Sequence, residues 1–275
     1  MNAKPDGLTA PLPADEAREA IERFHRDGFA VVPGVLGREE CEFLRRRTDE
    51  IADDPAAAVQ TGGSGLFILR DPEKRDIAFA RLFIREPILS LVRAILGPEC
   101  RFCAQNVIRS NPGFAISHWH VDDILEYPLP PEVPSWDART NLPVMWMSVQ
   151  MPLSDVMTLE SGPTEVVRGS HRAGRLPANE NPVYQGRAAE PVFCRAGDIY
   201  LFNHQVWHRG RPNTSANTRY LMQLQFGRGG SIAHRLQRAE RTPELDRILE
   251  GADPALVEIM VGAPMHSAPG HHNQL

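Results

Sequence analysis

From position 101 to 226 the chain is written in short pieces: CAQNVIR, SHWHVD, VMWMSVQM, EVVR, PVFC, DIYLFN, QVWHRG and RYLMQLQF, each set off by turn residues. Regular short strands broken by turns build a β-sandwich or barrel. Side chains alternate faces along a strand, and two of these pieces have unlike faces. In one, Met145, Met147, Val149 and Met151 oppose Trp146, Ser148 and Gln150; in the other, Tyr220, Met222, Leu224 and Phe226 oppose Arg219, Leu221, Gln223 and Gln225. The apolar faces are expected to pack against a second layer. The mixed faces then look toward solvent or a wet cavity, and an arginine on one of them favours the cavity.

One strand candidate carries His120-Val121-Asp122, and His208 and Arg219 follow much later. On a strand a His-x-Asp spacing puts an imidazole and a carboxylate on one side, about 7 Å apart along it. One metal ion could touch both. With His208 from a distant strand, two histidines and one carboxylate would occupy one face of the metal, an arrangement suited to non-heme Fe(II) with its other positions open. Such spacing is common by chance, and the surrounding text is what gives it weight. Arg219 offers a planar fork that binds a carboxylate in bidentate fashion, which a lysine point charge does less specifically.

The flanks are helical. Residues 15–27 carry Ala17, Ile21 and Phe24 at helical spacing until Gly28, after which FAVVPGVL reads as a strand. A helix is expected over 37–53 with Cys41 and Leu44 on its apolar side, then a QTGGSG loop, then a second amphipathic helix over 78–96 ended by Gly97-Pro98. Residues 237–261 return to helix, and the last residues form a loose tail. With 275 residues, 42% of them apolar, one large catalytic domain is expected.

Net charge is -5 with no basic run, so the footprint of a nucleic-acid binder is missing. No apolar stretch reaches the roughly 18 residues that span a bilayer, so no membrane partner is expected. Four cysteines, one pair of them in the C-x-x-C of Cys100 and Cys103, are too few for a disulfide framework and point to a cytoplasmic, reducing setting.

Around the second histidine the text AGDIYLFNHQVWHRGRPNTSANTRY resembles the phytanoyl-CoA dioxygenase family of Fe(II)/2-oxoglutarate oxygenases. SGPTEVVRGSH (161–171) and the opening FHRDGFAVVPGVL are similar to other segments of that family, so the resemblance spans most of 20–227. It implies a distorted double-stranded β-helix, or jelly roll, as a single domain over 1–275: a helical part at about 12–97, the β-helix core at about 101–227 and a helical tail at about 237–275. It implies His120, Asp122 and His208 as iron ligands and Arg219, eleven residues past the distal histidine, as partner of the 2-oxoglutarate tail carboxylate. Trp146 and Gln105 would lie beside the co-substrate. The chain departs from the family pattern at Val121, often a glutamine, and at Gly210, often a small hydroxyl residue.

The implied reaction couples O2 and oxidative decarboxylation of 2-oxoglutarate to oxidation of a small-molecule C–H bond, by hydroxylation or oxidative ring closure. Antibiotic or other secondary metabolism and a polar, sugar-like substrate fit this reading. In halogenating relatives a small residue replaces the carboxylate, so Asp122 argues against halogenation. His118, Asp123 and Trp136 are candidate substrate contacts, and residues 123–143 are a candidate lid. Two alternatives stay open: a cupin-type site built from His118, His120, Glu126 and His208 without 2-oxoglutarate, and a non-catalytic small-molecule-binding barrel.

Overall fold

The computed structural model describes residues 7–54, 59–61, 65–122, 124–229 and 242–261. The chain begins with α1 (Ala14–Asp27), which ends where Gly28 takes φ 87° and returns its N–H to the Phe24 carbonyl at 2.8 Å. Only glycine fits there, since a Cβ would meet the Val206 side chain at 2.1 Å. Then come β1 (Phe29–Val32), α2 (Arg38–Ala52), β2 (Val59–Thr61), β3 (Leu66–Arg70), α3 (Ile77–Ala80), α4 (Ile88–Leu96), β4 (Arg101–Ser110), β5 (Trp146–Pro152) and β6 (Thr164–Val166). The second half adds β7 (Glu190–Val192), β8 (Ile199–Asn203), β9 (His208–Gly210), β10 (Arg219–Gly227), α5 (Pro243–Leu249) and α6 (Pro254–Val261).

The strands form a seven-stranded antiparallel sheet in the order β1-β8-β5-β10-β4-β3-β2 and a three-stranded sheet in the order β7-β6-β9. Phe29, Ile108, Tyr200, Phe202 and Leu221 of the large sheet pack with Val166 and Val192 of the small one, so the two sheets face each other as a jelly roll. The helices cover the other side of the large sheet. There Met147, Val149 and Met151 of β5 and Met222, Leu224 and Phe226 of β10 join Phe24, Leu44, Phe83 and Leu91 in the main core. Phe83 stands edge-on to Phe102 and Phe226 at centroid distances of 4.7 and 5.2 Å. The apolar faces therefore go to the helices and the mixed faces to the space between the sheets, as their alternation predicts.

Three expectations need correction, and one strand was not expected. Residues 66–70, between the expected loop and the second helix, form β3, whose Ile68 pairs with Ile108 and extends the large sheet. The helix expected over 78–96 is broken into α3, a 3-10 turn at Arg81–Ile84, and α4, because Pro87 lacks an N–H and disfavours the helical conformation of the residue before it. SHWHVD is no regular strand: its pairing is the single antiparallel bridge His120↔His208. The C-terminal helix is interrupted at Gly251, φ 68°, between α5 and α6, while its expected start at 237–241 and the tail at 262–275 lie outside the described residues. No helix of the described residues is long and apolar enough to cross a membrane.

The 3-10 turn Pro72–Lys74 buries Glu73 completely, and neither carboxylate oxygen has a hydrogen-bond partner among the described residues. Burial, and after it the neighbouring Asp71 charge, pushes its pKa from 4.5 up to about 8. A folded pKa above the unfolded one means that folding favours the protonated form. Stability is therefore expected to fall as pH rises from about 4.5 to about 8. Glu73→Gln should remove that slope, so its melting temperature should gain on the wild type by roughly a few degrees between pH 5 and pH 8. A constant difference across that range would show that Glu73 is charged throughout.

Candidate metal centre

His120 sits at the rim between the sheets and His208 opens β9, and their backbones exchange hydrogen bonds at 3.0 Å in both directions. Two residues on, the Asp122 N–H donates to the His204 carbonyl at 2.8 Å, which fixes the turn that presents its carboxylate. The ligand atoms of His120, Asp122 and His208 all lie within 4.8 Å of one another, the one such histidine, cysteine and carboxylate group among the described residues. Asp122 Oδ1 is 3.8 Å from His120 Nε2 and 3.6 Å from His208 Nε2.

The ring orientations decide what these atoms can do. His120 Nδ1 lies 2.9 Å from the His118 carbonyl, and His208 Nδ1 lies 2.9 Å from the Val206 carbonyl. A carbonyl only accepts, so each neutral ring carries its proton on Nδ1 and turns the Nε2 lone pair toward Asp122. Metal-binding histidines are held in this way by a backbone partner. Burial, then the His208 ring, pushes the His120 pKa down to about 4. Burial would raise the Asp122 carboxyl, but the His208, His204 and His120 imidazoles outweigh it and hold the group well below the usual carboxylate range. Burial alone would lower His208, and the Asp122 charge overrides it upward. Two lone pairs and one anion thus converge on a common point, a donor set that fits Fe(II).

A cavity of about 550 Å³ opens from the triad between the sheets. Strand register lays its sheet wall out in rows: Ser110 opposite Arg219, Ile108 opposite Leu221, and Asn106, Gln223, Gln150 and Tyr200 in line, with Arg70 at the edge. Arg219 is 7% exposed, and among the described residues no carboxylate lies within ion-pair distance of it. One Nη donates to the Gly162 carbonyl while Nε has no partner. Burial lowers its pKa, against which Tyr200 raises it. The Tyr200 hydroxyl meets Thr164 Oγ1 at 3.0 Å in the same cavity.

His120, Asp122, His208, Arg219 and Trp146 all line this one cavity. Gln105 does not. It is fully buried on the opposite face of β4, where its amide donates to the Phe79 carbonyl at 3.2 Å and contacts Met222 Sδ at 3.4 Å. The inward residue is its neighbour Asn106. His118 is exposed and lends the site its carbonyl rather than its ring; neither it nor Glu126 joins the ligand set. Trp136 is absent from the cavity lining, and its indole N–H donates to the Tyr127 carbonyl at 3.1 Å. Asp123 lies outside the described residues. None of residues 124–143 lines the cavity; they are tied instead to Gly174, Arg172 and Gln205.

The departures at Val121 and Gly210 have local reasons. Val121 points away from the triad into a small cluster with Val167, Tyr184 and Trp207. A Cβ on Gly210 would come within 3.2 Å of the Ile116 carbonyl. Sequence reasoning left His204 undecided. The structure buries it against Asp122, Nε2 to Oδ2 4.0 Å, with the Trp146 ring edge-on at 4.2 Å. Ser110, Thr164 and Tyr200 had no signal of their own, whereas Gln150, Gln223 and Gln225 were marked by the mixed strand faces.

Two antiparallel sheets around a cavity, with two imidazoles and a carboxylate converging at its rim, describe a jelly roll of the kind that holds one metal ion. The model of the phytanoyl-CoA dioxygenase (PhyH) family matches residues 24–221; the chain belongs to that family and is a non-heme iron, 2-oxoglutarate-dependent dioxygenase. It is 28% identical to the ectoine dioxygenase of Stutzerimonas stutzeri (strain A1501) over 240 residues, 74% of each chain. It is 24% identical to the L-proline trans-4-hydroxylase of Streptomyces griseoviridis over 258 residues, 80% of this chain and 88% of the other. HygX from Streptomyces hygroscopicus, solved with nickel, 2-oxoglutarate and hygromycin B, shares the fold at a TM-score of 0.62 and 22% identity, covering 78% of this chain and 88% of its own.

Proposed function

We propose that His120, Asp122 and His208 hold one Fe(II), that Arg219 binds the far carboxylate of 2-oxoglutarate, and that the protein oxidises a C–H bond of a small molecule. The observation that carries this is Arg219: a buried guanidinium with no acid beside it among the described residues, in the cavity that the triad closes. Burying a cation without a partner is costly, so the pocket is complete only with an anion. A keto-acid would supply one carboxylate for the arginine fork and extend its other end toward the triad in the same cavity.

Once bound, iron supplies the activation of O2 that is coupled to oxidative decarboxylation. The atoms balance as O2, 2-oxoglutarate and substrate C–H in, and succinate, CO2 and C–OH out. The protein's part is placement: the backbone carbonyls of His118 and Val206 aim the imidazoles, and Asp122 provides the anion that offsets part of the metal charge. His204 and Trp146 wall the Asp122 side.

The curated relatives are named for ectoine and L-proline, and HygX was solved with hygromycin B. These names support a small-molecule substrate and a place in secondary metabolism such as antibiotic biosynthesis. All four cysteines are free, which suits the cytoplasm. Anaerobic titration of metal-free protein tests the site. A visible metal-to-ligand absorption is expected when Fe(II) and 2-oxoglutarate are both added, and with neither alone. No absorption at one equivalent of iron and saturating keto-acid would reject the assignment.

A further inference from the structure

We infer that Asn106, Gln223 and Gln225, with the Trp146 indole beside them, form the recognition wall for a neutral, hydroxyl-rich substrate; the inference rests on the iron and 2-oxoglutarate assignment above. All four side chains line the cavity. Asn106 on β4 pairs directly with Gln223 on β10, Gln223 pairs with Gln150 on β5, and Gln225 follows two residues along on the same face. Trp146 pairs with Gly227 at the end of that strand. The register cannot slip to place these amides elsewhere, because Met222, Leu224 and Phe226 between and beyond them are fully buried among the helices.

The arginine-bound end of the keto-acid lies away from these amides. Along β10, Gln223 lies four residues and Gln225 six residues from Arg219, roughly 14 and 20 Å at strand rise. A five-carbon diacid running from Arg219 toward the triad would fill only part of a cavity of about 550 Å³ and leave room at the amides for a second ligand. Among the described residues the side-chain amides of Asn106, Gln223 and Gln225 hydrogen-bond to no other protein group. Gln150 spends its Nε2 on Ser148 Oγ at 2.9 Å and keeps its buried Oε1 unpartnered.

The chemistry of the wall selects the ligand. A carboxamide donates and accepts but carries no charge, which matches a hydroxyl and gives no advantage to an ion. Arg70, the cation at the end of the row, is already engaged within the protein. The Trp146 ring, held edge-on by His204, offers an apolar surface to the C–H face of a saturated ring. A cyclic polyol has both parts: a hydroxyl rim for the amides and a C–H face for the indole.

The test uses the full-length Fe(II)–2-oxoglutarate complex with methyl glucoside, myo-inositol and maltose as probes and phenylacetate as the apolar anionic control. A polyol should perturb the visible absorption and stimulate succinate formation, and phenylacetate should not. Each lost amide–hydroxyl pair is worth about 1 kcal/mol, so Gln223→Leu and Gln225→Leu should each weaken the polyol response about fivefold. The absorption itself and the 2-oxoglutarate affinity should stay unchanged in both. A normal absorption with no polyol response, a stronger response to phenylacetate, or equal polyol affinity in the variants overturns the amide wall alone. A wild type without the absorption overturns the metal and keto-acid assignment, and this inference with it.

Discussion

Asp122→Ala is expected to bind Fe(II) at least about 100-fold more weakly than the wild type and to form no detectable succinate from 2-oxoglutarate. Losing a mere outer hydrogen-bond partner of a metal ligand costs about 10 to 100-fold, and Asp122 is the only anion of the cluster. Without it two neutral imidazoles must hold a dication, and the charge that raises the His208 pKa and orients its Nε2 is gone. The fold should survive, because the Asp122 side chain is partly exposed at the rim and the surrounding backbone is tied by the His120 and His208 exchange. Metal content after gel filtration and circular dichroism on the same sample check both halves. An alanine variant that retains stoichiometric iron would overturn Asp122 as a ligand and revive the alternative site of His118, His120, Glu126 and His208.

Arg219→Ala should leave iron loading intact and raise the concentration of 2-oxoglutarate needed for half-maximal turnover by two to three powers of ten. Removing one partner of a buried, hydrogen-bonded charge pair costs about 3 to 5 kcal/mol, and each 1.4 kcal/mol is about tenfold. Arg219→Lys keeps the charge but loses the planar fork, so an intermediate loss is expected. The apo proteins should behave differently. Wild-type apoprotein buries a guanidinium with no acid nearby among the described residues, so its alanine variant should melt no lower than the wild type while gaining far less from added 2-oxoglutarate. Equal turnover at low 2-oxoglutarate in wild type and Arg219→Ala would remove Arg219 from this role.

Much of the site could be read in one dimension. The His-x-Asp spacing, the distal histidine and the arginine beyond it named residues that lie far apart in the chain and share one cavity in space. The alternation in β5 and β10 separated a methionine-rich face from an amide-bearing one, and the helices took the first as expected. Local chemistry was less reliable where neighbours compete. LFILR drew no assignment, yet pairing with β4 made it a strand, and Pro87 split the helix expected over 78–96.

Gln105 marks where one-dimensional reading stops. Gln105 and Asn106 are adjacent, polar and both buried, and alternation says only that they point opposite ways. Which one looks inward was decided by the pairing of Asn106 with Gln223 and by the helices that cover the Gln105 side. His204, Tyr200 and Thr164 became part of the site for the same reason: β8 and the small sheet bring them there. The amino-acid sequence by itself determined the ligand types, their spacing and the two-faced strands, because these depend on covalent order and the period of a strand. Which polar face encloses the cavity was left to the tertiary structure, since burying one side of a sheet under helices is a choice made by all its strands together.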